Sequence, residues 1–156
     1  MAIATESQKP GTQPAKASIK TTMDRALYVS ADDQKWVDAP PHLPPGTKML
    51  ILDGDPAIPD RLFTMRLKMP AGTRLPPHFH PADEHVTVIS GEFLSGEGDT
   101  FSPEATKSMR AGSFYAFPAG HRHFAFVPTE SVIQMHGVGP WQVIYVNPAD
   151  DPSARH

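Results

Sequence analysis

Residues 72–91, Gly72-Thr73-Arg74-Leu75-Pro76-Pro77-His78-Phe79-His80-Pro81-Ala82-Asp83-Glu84-His85-Val86-Thr87-Val88-Ile89-Ser90-Gly91, decide how the rest of the chain is read. His78 and His80 are two apart, so on a strand both imidazoles project from one face. Pro81-Ala82-Asp83 reads as a tight turn that starts a returning strand. Glu84 opens that strand and shares a face with Val86 and Val88. A carboxylate there is able to turn back toward the two imidazoles. His85, Thr87 and Ile89 fall on the opposite face, which makes His85 a poor ligand.

One hairpin offers ligands from one side only. A further donor has to come from elsewhere, and residues 112–127 carry the candidate: His123 follows a Pro118-Ala119-Gly120 turn and begins a strand running to Val127. The chain contains no cysteine. A metal site must then use imidazole and carboxylate donors, a set that suits one divalent Fe, Mn, Ni, Zn or Cu ion. Three imidazoles and a carboxylate leave a position open on a five- or six-coordinate ion, which suits catalysis better than a purely structural role.

The spacing resembles the cupin family. Its first motif, G-x5-H-x-H-x3,4-E-x6-G, is met at Gly72, His78, His80, Glu84 and Gly91. Its second, G-x5-P-x-G-x2-H-x3-N, is met at Gly112, Pro118, Gly120 and His123, with Val127 in place of the final Asn. That Asn is not a metal ligand in the family. Residues 92–111 join the motifs, a spacing typical of single-domain bacterial cupins, and the likeness runs from about Met49 to Val146. It implies an all-β jelly-roll barrel with the metal inside, held by His78, His80, Glu84 and His123. Glu84 is then a ligand or, when swung off, a general base and the candidate catalytic residue.

The remaining chain agrees with short strands. It carries 18 prolines and 11 glycines, which cut it into pieces with turn signals between them. Phe63 to Met69 alternates apolar with polar, as a half-buried strand does. Met49–Leu52, Val86–Ile89, Ser113–Phe117, His123–Val127, Val132–His136 and Trp141–Val146 read as further strands, and Leu27–Val29 as a short edge strand. Residues 39–46, with four prolines, read as an extended connector. Ser102-Pro103-Glu104 is the one helix-like start. The expected organisation is a polar tail over residues 1–24, one barrel over 25–147, and a fraying tail over 148–156.

Several side chains have an ordinary reading beside a functional one. His42, His85 and His156 are read as solvated or satisfied within the core, not as ligands. His121 is read as a solvated turn residue, with substitute ligand or partner behind the ligands as alternatives. Gln134 and His136 line the pocket if their face of the strand points inward, and are packing or rim residues otherwise. Tyr115 and Phe117 are core aromatics that also wall the metal cavity. Trp141 and Tyr145, four apart on the last strand, are pocket wall or subunit contact.

Net charge is −3 with no basic run, so neither nucleic acid nor an anionic membrane is an expected partner. No apolar run approaches a membrane span. The expected function is a metal-dependent oxidoreductase of the dioxygenase type acting on a small organic molecule. The alternatives are isomerase or lactone chemistry, and a ligand-sensing module without turnover. A storage barrel fits poorly, because four polar ligands inside an apolar barrel are costly. A homodimer is expected, since an open jelly roll has edges to cover. The expected location is the cytoplasm, or the periplasm should a signal peptide precede the sequence.

Overall fold

The computed structural model describes residues 23–155. Residues 1–22 of the expected N-terminal tail, and His156, lie outside the described residues. Eleven strands follow in chain order: β1 (Val37–Asp38), β2 (Lys48–Asp53), β3 (Leu62–Met69), β4 (Thr73–Phe79), β5 (Glu84–Ser90), β6 (Glu92–Glu97), β7 (Thr106–Arg110), β8 (Phe114–Phe117), β9 (His123–Val127), β10 (Ser131–Val138) and β11 (Ile144–Tyr145). They form two sheets of antiparallel pairs, ordered β1-β2-β3-β10-β5-β8 and β11-β4-β9-β6-β7. The expected all-β jelly roll is the fold found.

Side-chain alternation builds the core. Phe63, Met65, Leu67 and Met69 of β3 point inward with Val86 and Val88 of β5, Ala125 and Val127 of β9, and Ile133 and Met135 of β10. Each fully buried apolar side chain of this size contributes about 1.5–3 kcal/mol relative to exposure. Val127, which stands where the family motif has Asn, is fully buried among them. The position is core, with no polar group to offer.

One irregularity in β4 decides the site. Leu75 pairs with Ala125 and His78 with His123, so three residues on β4 span two on β9. The extra residue falls at Pro76-Pro77, where two consecutive residues lack an N–H to donate to the ladder. Leu75 points into the core. With unbroken alternation His78 and His80 would face outward; the bulge shifts the parity by one and turns both inward.

Four local expectations are corrected. Leu27–Val29 forms no strand, and Tyr28 is 92% exposed; the sheet edge is β1 instead. Residues 39–46 are not an extended connector. Leu43 N–H donates to Pro40 O, Thr47 N–H to Pro44 O, and Ala39 N–H to Thr47 O, which closes a compact loop over one end of the barrel. The C-terminal residues do not simply trail off: they make two 3-10 turns, Pro148–Asp150 and Pro152–Arg155, the first capped by the Asn147 side chain accepting from Ala149 N–H. Of the strand expected over Trp141–Val146 only β11 is regular. The Ser102 start yields a single 3-10 turn, Pro103–Ala105.

Candidate metal centre

His78, at the end of β4, lies directly across from His123, the first residue of β9. His80 follows β4, and Glu84 opens β5 after the Pro81-Ala82-Asp83 turn. Two hydrogen bonds tie the motifs together. Ala119 N–H donates to Asp83 Oδ1 at 2.8 Å, and Gly120 N–H donates to His80 O at 2.9 Å. The turns at 81–83 and 118–120 are thereby fixed against each other, and the four side chains meet inside the barrel. All four are buried.

The three histidines each offer a ring nitrogen within 4.8 Å of the others. Glu84 stands beside two of them, with Oε1 3.2 Å from His80 Nε2 and Oε2 3.4 Å from His123 Nε2. Each imidazole is held from behind by a backbone carbonyl. His78 Nδ1 lies 2.7 Å from Pro76 O, His80 Nδ1 2.6 Å from Gln142 O, and His123 Nδ1 2.9 Å from His121 O. A carbonyl only accepts, so each Nδ1 carries a proton, and in the neutral imidazole Nε2 then presents the lone pair. This is how metal-binding imidazoles are oriented. His80 Nε2 is buried with no hydrogen bond of its own, despite the nearby carboxylate. The donor set therefore fits a borderline divalent transition metal.

The electrostatics agree. Burial, aided by the neighbouring His123 and His80 rings, pulls the His78 imidazole down to about 3, so it stays neutral with its lone pair free. Burial also opposes charging of His80, but the Glu84 carboxylate outweighs it and the pKa rises. Burial pushes Glu84 up, yet His80 and His123 hold its carboxyl well below the usual range. A buried carboxylate in contact with two imidazoles is a place where positive charge belongs.

The walls are aromatic. Phe117 stacks on the His123 ring at 4.4 Å, and Trp141 stacks on His80 at 5.3 Å. Tyr115 lines the cavity, and burial together with Glu84 pushes its phenol well above the ordinary value. The cavity itself is about 20 Å³, walled also by Leu43, Phe93 and Met135.

Three residues for which the pocket was one of the readings lie elsewhere. Gln134 and His136 lie on the outer face of β10, because Ile133 and Met135 take the inner one. Gln134 accepts from Arg66 Nε, and the His136 ring meets His85 edge-on at 5.2 Å. His121 sits before β9 begins, so strand alternation does not carry it inward. Its ring lies 3.0 Å from Glu97 Oε2 and stacks on Phe117, while its backbone carbonyl orients His123. Trp141, read as pocket wall or subunit contact, stands in the pocket wall as the face of His80, whereas sequence reading missed Gln142 as the hydrogen-bond acceptor of that ring.

Glu84→Gln keeps the side chain's shape and removes its charge. The metal affinity is expected to fall by at least about tenfold but less than in His80→Ala or His123→Ala, because Gln keeps an oxygen donor while losing the charge. Competition with a chromophoric chelator would measure it, and an unchanged affinity would take Glu84 out of the site.

A family model described as the ChrR cupin-like domain matches residues 24–142. A curated relative, a putative germin-like protein 9-2 of Oryza sativa subsp. japonica, is 38% identical over 61 residues, covering 38% of this chain and 28% of that protein. The chain thus spans well under a third of the curated relative it matches. Among solved structures, the polyketide cyclase RemF of Streptomyces resistomycificus superposes with a TM-score of 0.66 at 21% identity, covering 82% of this chain and 90% of that one. An acetylacetone dioxygenase of Acinetobacter johnsonii gives 0.60 at 20% identity, covering 84% and 83%. At such identities the likeness is one of fold.

Proposed function

Because this chain belongs to the ChrR cupin-like family, we propose that it is a metal-dependent enzyme that oxidises a small organic molecule with dioxygen, its divalent ion held by His78, His80, Glu84 and His123. The observation that supports the metal centre is the set of three Nδ1–H groups donated to backbone carbonyls, which leaves the three Nε2 atoms as the metal-facing donors of one buried cluster. A bound iron would supply Lewis acidity and a redox couple for dioxygen.

The protein's own groups supply orientation and dryness. Phe117 and Trp141 hold two of the imidazole planes, and the apolar wall excludes bulk water, which strengthens every charge interaction inside. Among the described residues Glu84 is the carboxylate in the cavity wall, and its low pKa keeps it charged as a ligand for the ion. A fold neighbour that is an acetylacetone dioxygenase supports the dioxygenase reading. The polyketide cyclase neighbour supports a second, in which the ion acts as a Lewis acid without redox change.

A third reading is ligand binding without turnover, and cavity size does not separate it from the first two. A space of about 20 Å³ suits one water-sized molecule and no organic substrate. The readings separate by oxygen consumption. Fe(II)-loaded protein, offered a panel of small diketones and phenols, is expected to take up oxygen with at least one of them. No uptake by fully iron-loaded protein across the panel would discard the dioxygenase reading.

A further inference from the structure

A second hollow adjoins the metal cavity. It is a groove of about 850 Å³, within the ~300–1,000 Å³ range of small-molecule sites, and its wall includes Leu43, Pro44, Arg74, Pro76, Phe101 and Asp150. Two residues connect it to the metal centre. Leu43 lines both spaces. Pro76 faces the groove while its carbonyl holds His78 Nδ1.

The groove mixes proline and other apolar walls with the charges of Asp38, Arg74 and Asp150, and those charges are uneven. Asp38 is neutralised by Lys48 at 2.6 Å. Arg74 spreads its guanidinium over the Phe101 ring at 4.2 Å and has no acidic partner among the described residues. Arg74 is exposed, and its planar donors, held over the ring, match the geometry of a carboxylate. Asp150 is the opposing charge in the same wall.

The loop that carries Leu43 is held by a latch: Tyr145 Oη–H donates to His42 O at 2.8 Å, one residue from Leu43. The closed loop also leaves Thr47 Oγ1 buried without a partner, which lowers the cost of moving it.

We propose that this groove is the binding site for the organic substrate, a small carboxylic acid with an apolar body. Arg74 takes the carboxylate, and displacement of Leu43 joins the groove to the metal cavity. The inference rests on the metal-centre reading above and supplies the space that the 20 Å³ cavity lacks.

Zinc-loaded full-length protein, titrated with benzoate and its neutral isostere benzamide and followed by amide NMR, tests it. Benzoate is expected to saturate and to shift the amides of Leu43, Arg74 and Phe101, with benzamide at least tenfold weaker. Arg74→Ala should weaken benzoate at least tenfold with zinc content unchanged, and Asp150→Asn should tighten it. Leu43→Ala and Tyr145→Phe should each speed the stripping of zinc by dipicolinate severalfold. Should Leu43→Ala fail to fold, Tyr145→Phe probes the same latch without emptying the core.

Zinc retained without benzoate binding, equal binding of benzamide, or shifts confined to another surface would overturn the groove assignment alone. Wild-type stripping rates in Tyr145→Phe would overturn the gate. Failure of the wild type to retain zinc would overturn the metal-centre reading, and this inference with it.

Discussion

His123→Ala is expected to abolish stoichiometric metal binding. The loss should exceed the ~10–100-fold that follows removal of a group orienting a ligand, because the donor itself is gone. His123 is the only histidine of the convergent set supplied by β9, with two from the segment around β4. Without it the remaining imidazoles and Glu84 approach an ion from one side. His80→Ala should behave alike, and there the Gln142 carbonyl and the Trp141 face are left with nothing to orient. Metal analysis after exhaustive dialysis measures both, with far-UV circular dichroism to show that the barrel persists. Metal-dependent thermal stabilisation should vanish in parallel, since an ion that binds only the folded state stabilises it by mass action. His136→Ala is the control. Its ring lies on the outer face of β10, so metal content should match the wild type. Equal metal retention in His123→Ala and the wild type would place the ion elsewhere.

The second large effect is on stability. Gly91→Ala should destabilise the fold by about 2–5 kcal/mol, enough to unfold a marginal domain. Gly91 has φ +77°, and a Cβ there would stand 2.3 Å from Ser131 Oγ and 2.5 Å from Glu130 O. Ser131 cannot yield easily: it is buried, and its hydroxyl bridges Glu92 N–H, Glu92 O and Thr129 O. Gly72 makes the contrast. Its φ is +83° but nothing lies within 4 Å of the added Cβ. Gly72→Ala should therefore cost only the left-handed backbone penalty, about 1–2 kcal/mol. Urea unfolding of both variants checks the difference. If the two lose the same stability, the close approach to Ser131 does not matter.

Much of the site was legible because strand geometry converts spacing into direction. His78 with His80, and Glu84 with Val86 and Val88, share faces as the two-residue period requires. The period does not say which face is inner. On β10 it left Gln134 and His136 undecided, although the more apolar pair, Ile133 and Met135, was there to settle it. His121 lies before the strand begins, where the period has no force, and its place against Glu97 and Phe117 comes from the turn.

From its order of residues alone the chain specifies an antiparallel barrel, two turn-linked motifs, and donors of the right chemistry for one transition metal. Tertiary structure decided the rest. The bulge at Pro76-Pro77 turned the two histidines inward, and Leu43 arrived from a distant loop to close the cavity. The Gln142 carbonyl reached His80 across 62 residues of sequence. Side chains announce their chemistry in sequence and nearby alternation fixes their direction. Backbone carbonyls are alike at every residue, so only folding shows which of them meets an imidazole.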